Sequence, residues 1–598
     1  MNSVNDRTLH TYLTVQSANQ PSVIPNESAV TFITKKSGMP QVWKCDMASL
    51  EVKQFTDFPD RTLSVHHSPT GAQTIVGMDY EGNEKQQFYL LSEGDTKVEE
   101  LVVSKEYFHE FGGWSTDGTK IAYSSNRRHP GYFDVYIFDL ATKTEKKVYE
   151  IDGNCTPLCW TKDGGKLLLS IPETNIDQSL YVLDLDTKTI NRLGSKKEHA
   201  RYQSVELTAD GKGGYLLTDS GLDTLGIVRF LFSEPSEMAF LFTAENWDVE
   251  EIKLSPEEDK LAFSINEGGV SRLGIFNIAN HTHFYINSLP SGVYQSFSWS
   301  TNNELILSVK SAVLPGDIWK VSLEEDIAER LTYVGDVKGI EPLMEPELCS
   351  FSSFDGVEVP YFYYSKQSEF QPVVVYVHGG PESQIKAEYN PVIQFLAANG
   401  FAVVAPNVRG SMGYGRNYVK LDDKRKRLNA VADLKWLVKH LVDQKHADPD
   451  KVGIMGRSYG GFMVLAALTH YPDIWAAAVD IVGISHFRTF LENTGPWRRK
   501  LREAEYGSLQ DHADFFEEIA PLNLTGNISA PLLVFHGRND TRVPVMEAVQ
   551  LTDDLKRQNK SVELTIFDDE GHQTEKLKNH IQMNSQTIKF FQKHLERR

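Results

Sequence analysis

A repeat constrains this chain more than any other feature. From about residue 22 to 335, a turn of the form Ser/Thr-x-Asp-Gly followed by a short apolar strand recurs. It reads SPTGAQTIVGM from Ser68, STDGTKIAYSS from Ser115, TKDGGKLLLSI from Thr161 and TADGKGGYLLT from Thr208. SPEEDKLAFSI from Ser255 and STNNELILSV from Ser300 continue the series, and IPNESAVTFIT from Ile24 is a degraded first copy. Successive starts lie 44, 47, 46, 47, 47 and 45 residues apart. Between them runs a second signal, a strand ending in Asp or its equivalent before a polar turn, as in VWKCDMASLEVKQFT and VYIFDLATKTEKKVY. Alternating apolar residues bounded by such turns predict antiparallel hairpins. A unit of about 46 residues holding four short strands is one propeller blade. Seven starts therefore predict a seven-bladed β-propeller, because a sandwich has no reason to keep one period seven times.

After about residue 345 the pattern changes. Apolar strands without polar alternation (PVVVYVHGG, FAVVAPNVRG, KVGIMGRS, WAAAVDIVG, PLLVFHG, VELTIFDD) alternate with helical stretches. That describes a doubly wound, mostly parallel sheet covered on both faces. The expected divisions are an N-terminal extension at 1–21, the propeller at 22–340 and an α/β domain at 341–598.

Bulk properties narrow the function. A chain of 598 residues is too long for one core, and its net charge of −20 argues against a nucleic-acid binder, which needs a basic face. No apolar run approaches the roughly 18 residues of a membrane helix. The opening MNSVNDRTLHTYLTVQ lacks the basic and apolar regions of a signal peptide. Cys45, Cys155, Cys159 and Cys349 are read as reduced thiols, since no second Cys/His pair accompanies Cys155 and Cys159 to make a metal site. The expectation is a cytoplasmic protein with neither metal nor cofactor.

The chemistry lies in the second half. Gly456-Arg457-Ser458-Tyr459-Gly460 follows the buried strand KVGIM and precedes the helical run FMVLAALTHY. This is the G-x-S-x-G nucleophile elbow in its strand–turn–helix setting, which makes the domain an α/β-hydrolase fold. A serine hydroxyl needs a base, and the base an orienting acid, in the chain order Ser, Asp/Glu, His. Asp540 follows the strand PLLVFHG, and His572 follows VELTIFDD; both fall at strand C-terminal ends, where such sheets present ligands. Asp480 reads as a core acid, Asp568 and Asp569 as loop residues too near His572, and His536 as a brace for the acid loop. His580 and His594 read as surface residues of the last helix. The oxyanion donors expected are the backbone N–H groups of Tyr459 and of Gly380 in His378-Gly379-Gly380-Pro381.

Together these residues resemble the prolyl oligopeptidase family of serine peptidases over nearly the whole chain. The motifs are HGGP at 378–381, NVRGSMGYG at 407–415, GRSYGG at 456–461, HGRNDTRVP at 536–544 and EGH at 570–572. The histidine of HGGP brings the pattern nearest the acylaminoacyl-peptidase-like branch, since the other branches usually carry tyrosine there. The resemblance implies cleavage of short peptides, N-acylated or free, with the propeller as a filter against folded proteins. It also suggests that Arg542 holds a substrate carbonyl or makes a propeller contact. Trp475, Ile484, Phe487 and Val543 are candidates for an apolar pocket at the scissile bond, with core packing expected for at least half of them. No Glu-Glu pair is convincingly placed to grip a free α-amine; Glu99-Glu100, Glu250-Glu251, Glu257-Glu258 and Glu324-Glu325 read mostly as turn or surface charge. A carboxylesterase, a dipeptidyl-peptidase-like exopeptidase and a propeller binding module with a silent hydrolase domain stay open as alternatives. So does homo-oligomerisation.

Overall fold

The computed structural model describes residues 6–92, 98–195, 199–337, 340, 343–365 and 370–596. Two compact units emerge, one of Gln16–Asp336 and one joining the chain up to Val15 with Val337–Arg598.

In the first unit the described residues form seven four-stranded antiparallel meanders, over 19–54, 62–102, 109–149, 156–193, 202–242, 249–285 and 293–330. The repeated turn has a physical cause. Ser115 donates to Asp117 (2.6 Å), Asp117 accepts the Thr119 amide (3.0 Å), and Ser115 Oγ accepts the Lys120 amide (2.9 Å). All three bonds recur around Thr161, and the first two around Thr208. The position after the aspartate takes a left-handed φ, of +71° at Gly118, +70° at Gly164 and +68° at Gly211, where glycine carries no Cβ penalty. In two copies lacking glycine, Glu258 and Asn303 adopt the same sign of φ at that position. The aspartate ending the third strand caps the next turn, as Asp46 does for Ala48 and Ser49 and Asp184 for Thr187.

Neighbouring blades are stitched by bonds that the repeat did not advertise. Trp114, Trp160 and Trp299 each donate Nε1–H to a carbonyl one blade earlier, at His66, Gly113 and Lys253. Buried Arg201 in the fifth blade grips Asp219 (2.7 Å) and reaches Asp248 at the sixth (2.8 and 2.9 Å). Glu250 and Glu251 are a correction to their reading as surface charge. Glu250 accepts from Asn266, and Glu251 accepts the amides of Ser296 and Phe297 in the next blade.

The second unit is built on an eight-stranded sheet: β1 (Glu347–Ser352), β2 (Glu358–Tyr364), β3 (Gln371–Val377), β4 (Ala402–Pro406), β5 (Ala447–Arg457), β6 (Ala477–Ile481), β7 (Leu532–Gly537) and β8 (Val562–Phe567). Their order is β1-β2-β4-β3-β5-β6-β7-β8; β2 pairs antiparallel with both β1 and β4, and the remaining pairs are parallel. Every residue of β4, β6 and β7 is buried, which explains why these segments lack polar alternation.

The expected extension at 1–21 is corrected at both ends. Helix α1 (Asp6–Leu13) belongs to the hydrolase unit, where Leu9 is fully buried and Tyr12 packs edge-on against Phe395 of α2 (Pro391–Ala398), centroids 5.2 Å apart. The first blade then starts at Asn19, inside the proposed extension. Its alternation was masked by Pro21 and polar neighbours in NQPSV. The expected boundary residue 341 lies outside the described residues.

Candidate active site

Strand β5 ends at Arg457 and α3 (Tyr459–His470) begins one residue later, so Ser458 must turn the chain alone. It does so at φ 61° and ψ −120°, a conformation costly for a residue with a side chain and held by its surroundings. The Ser458 amide donates to Ile481 O at the end of β6 (2.8 Å). The flanking glycines are required by contact. A Cβ on Gly456 would lie 2.4 Å from Gly460 O, and one on Gly460 would lie 2.3 Å from Val377 O. Asp480 sits beneath the elbow rather than beside His572, its carboxylate 2.3 Å from where a Gly461 Cβ would be. Burial pushes its carboxyl up to about 7.

Three side chains meet beyond the strand ends. Ser458 Oγ lies 3.1 Å from His572 Nε2, and His572 Nδ1 lies 2.7 Å from Asp540 Oδ2. The other oxygen, Asp540 Oδ1, accepts the backbone amides of Arg542 (2.8 Å) and Val543 (2.9 Å). Burial alone would raise the Asp540 carboxyl, but the His572 hydrogen bond and charge, with His536 and these amides, hold it below its ordinary range. His536 bridges to Val543 O (2.9 Å), bracing the acid loop. Arg457, the variable residue inside the elbow, donates to His572 O (2.7 Å) and so ties the histidine loop to the nucleophile strand. A seryl oxygen, an imidazole and a carboxylate in this line can pass a proton from Ser458 to His572 while the carboxylate stabilises the imidazolium.

The loop His378–Pro381 is shaped by its histidine. His378 is buried and kept neutral by desolvation; its Nδ1–H donates to Gly379 O (2.7 Å) and Nε2 meets the Ser411 hydroxyl (2.9 Å). Because a trans peptide points its C=O and N–H in opposite directions, pinning Gly379 O turns the Gly380 N–H away from the ring. Gly379 lies against the nucleophile, 3.4 Å separating its notional Cβ from Ser458 Cβ. The 407–415 motif supports this loop: Asn407 clasps Ile385 through both its amide atoms, and Met412 N donates to Ser383 O. Behind it, the Tyr459 hydroxyl donates to Asp422 (3.1 Å) and accepts from Arg427 (3.0 Å), which also pairs with Asp422 and Glu505. All four side chains are buried, and the network fixes the residue whose amide follows the nucleophile.

The apolar candidates separate. Trp475 is a correction: it precedes β6, whose Ala477 aligns with Gly453, so it lies roughly 20 Å down the sheet from the strand ends. There its Nε1–H bonds Ala467 O in the core. Ile484, Phe487 and Val543 sit at the correct end but are buried. Phe487, which opens α4 (Phe487–Asn493), packs against the Phe462 and Tyr506 rings at 4.7 and 4.6 Å, and Val543 serves the acid loop. Arg542 is half-buried beside Asp540. Sequence reasoning missed α5 (Pro496–Tyr506), which runs beside the site with Arg502 and Tyr506 both donating to Gly380 O (3.3 and 3.4 Å). Its cationic sequence PWRRKLREAEY, between β6 and the acid strand β7, was the available signal.

Comparison with known proteins agrees with this architecture. The prolyl oligopeptidase family matches residues 387–598, and the prolyl oligopeptidase N-terminal beta-propeller domain matches 61–333. Dipeptidyl aminopeptidase BIII of Pseudoxanthomonas mexicana is 34% identical over 224 residues, covering 37% of this chain and 32% of that one. An acylamino-acid-releasing enzyme of Arabidopsis thaliana is 26% identical over 230 residues, covering 36% of this chain and 30% of its own. The chain thus spans about a third of the length of these relatives in each match. The structure of a Mycobacterium tuberculosis puromycin-hydrolyzing peptidase superposes with a TM-score of 0.86 at 18% identity, covering 99% of this chain and 96% of that one. Among the described residues no helix is long and apolar enough to cross a membrane.

Proposed function

The chain belongs to the prolyl oligopeptidase family, and from that premise we propose that it is a serine peptidase acting on short peptides through an acyl-enzyme on Ser458. His572 takes the Ser458 proton as Oγ attacks the scissile carbonyl, and Asp540 steadies the imidazolium. The oxyanion of the tetrahedral intermediate is met by the Tyr459 and Gly380 amides. His572 then gives its proton to the leaving amine, and water, activated by the same ring, releases the acyl group. The observation that carries this reading is the unbroken pair of hydrogen bonds from Ser458 Oγ to His572 and on to Asp540. The propeller is assigned, on the family resemblance, the part of a size filter. Among N-terminal chemistries, acylated peptides are favoured over free amines, because Glu250 and Glu251 are spent on Asn266, Ser296 and Phe297.

The test is a digest of a short-peptide library with free and acetylated N-termini, read by mass spectrometry, using the wild type and Ser458→Ala. Loss of all cleavage in the variant, with an unchanged melting curve and no fluorophosphonate labelling, is expected. Cleavage that survives Ser458→Ala would defeat the assignment.

A further inference from the structure

Helix α5 bounds the site along one side. Its N-terminal end abuts the acid loop: Thr494 donates to Arg542 O (2.8 Å), and a Cβ on Gly495 would lie 3.5 Å from Thr541 O. Further along, Arg502 and Tyr506 hold Gly380 O in the oxyanion loop. Residues 498, 502 and 506 fall at i, i+4 and i+8, one face of the helix, so Arg498 shares the face that spans the two catalytic loops.

The arginines on that helix are not equivalent. Arg502 is paired with Glu382 (3.0 Å), and Arg499 is turned to Glu492 O (2.7 Å). Arg498 is half-buried, its guanidinium 5.6 Å from the centroid of the Trp497 ring, its Nη1 has no hydrogen-bond partner, and among the described residues no carboxylate pairs with it. Burial, then the neighbouring Arg502 and Arg542 charges, draw its guanidinium down to about 10, so it stays cationic at neutral pH. The nearby Asp540 is already committed to His572 and to two backbone amides. A partly desolvated cation that has an aromatic face but no counter-charge is costly, and a guanidinium is built to take a carboxylate through two parallel bonds. The chain as a whole carries a net charge of −20, so attraction for an anionic peptide would have to be local.

We propose that Arg498 is a specificity residue that receives a carboxylate of the substrate within a residue or two of the scissile bond. The inference rests on the peptidase reading and deepens it. Two sources supply that group, an Asp or Glu side chain on the acyl side or the terminal carboxylate of a short leaving peptide.

Two matched pairs of substrates separate them: acetyl-Glu-Ala against acetyl-Gln-Ala coumarylamides, and quenched pentapeptides ending in a free carboxylate against a carboxamide. In the wild type, one pair shows kcat/KM higher for the charged member by about tenfold or more, the scale of a charge-assisted hydrogen bond. That ratio falls to about one in Arg498→Gln, recovers in part in Arg498→Lys, and shrinks with added salt. A preference in the first pair identifies the side chain, and one in the second the terminal carboxylate. Binding of the same peptides to Ser458→Ala, with and without Arg498→Gln, is followed by calorimetry and carries the same expected ratio in Kd. Absence of turnover with a retained binding preference counts against the peptidase reading alone. Equal treatment of charged and neutral members in the wild type by both readouts, or a preference that survives Arg498→Gln, overturns the proposal.

Discussion

Replacing Asp540 by asparagine isolates what the carboxylate does, because the structure dictates how the new amide must sit. Asp540 Oδ1 accepts two backbone amides, from Arg542 and Val543, at 2.8 and 2.9 Å. Only the carbonyl oxygen of an asparagine can take that position, since an NH2 there would face two donors. The NH2 is thereby driven toward His572 Nδ1, now 2.7 Å from Oδ2. A ring nitrogen facing a donor must accept, so the imidazole proton moves to Nε2, where it points at Ser458 Oγ and cannot receive the seryl proton. The base is then held in the wrong tautomer rather than merely weakened. The loss expected is about four powers of ten in kcat, or roughly 5.5 kcal/mol in the barrier. The assay is steady-state hydrolysis of an acetylated peptide p-nitroanilide, with fluorophosphonate labelling rates as a second readout and circular dichroism to show the fold intact. Labelling slows in parallel, because it needs the same base. A variant within tenfold of the wild type would refute the argument that Asp540 fixes the tautomer.

Stability at low pH checks the same carboxylate: its folded pKa is depressed, so its contribution is present above about pH 4 and is lost as pH falls through the lower folded value. The stability gap between wild type and Asp540→Asn, read from denaturant midpoints, should therefore close below pH 4. Tyr459→Phe removes a buried hydroxyl that bonds both Asp422 and Arg427 and should lower stability by about 2 kcal/mol and kcat by several-fold, while KM changes little. An unchanged melting temperature would argue against that network. Arg201→Met strands two buried carboxylates in the propeller, at a cost of about 3–5 kcal/mol to that unit's unfolding, measured by chemical denaturation. The residual hydrolysis of small peptides at low temperature should be spared.

The propeller was legible because its turns obey local rules. The Ser/Thr–Asp pair and the left-handed residue after it are set by hydrogen bonds within six residues of chain, so each copy announces itself. The triad was legible for a different reason: a parallel sheet delivers its functional residues at strand ends, and Ser458, Asp540 and His572 each follow an unmistakable strand. What escaped is governed by burial and partners far along the chain. Trp475 carried the composition of a pocket residue, and only the alignment of β6 with β5 shows it at the wrong end of the sheet. Glu251 looked like surface charge because nothing nearby in sequence hints at the amides of Ser296 and Phe297. The ionic group around Arg427 joins residues up to 78 positions apart, and α1 is too short and too polar to reveal by itself which unit it completes.

That small helix has a topological consequence. With its leading segment anchored on the hydrolase unit, the chain crosses into the propeller near residue 16 and returns near 336, making the propeller an insertion carried on two tethers. Synthesis runs through the helix before the blades and reaches the sheet that receives it after them, so Asp6–Leu13 waits through the making of an entire ring of blades before it can dock. Proteolysis at one crossing should consequently leave the two units covalently joined through the other, whereas deleting the helix should expose apolar surface on the hydrolase unit around Phe395 while leaving the ring intact.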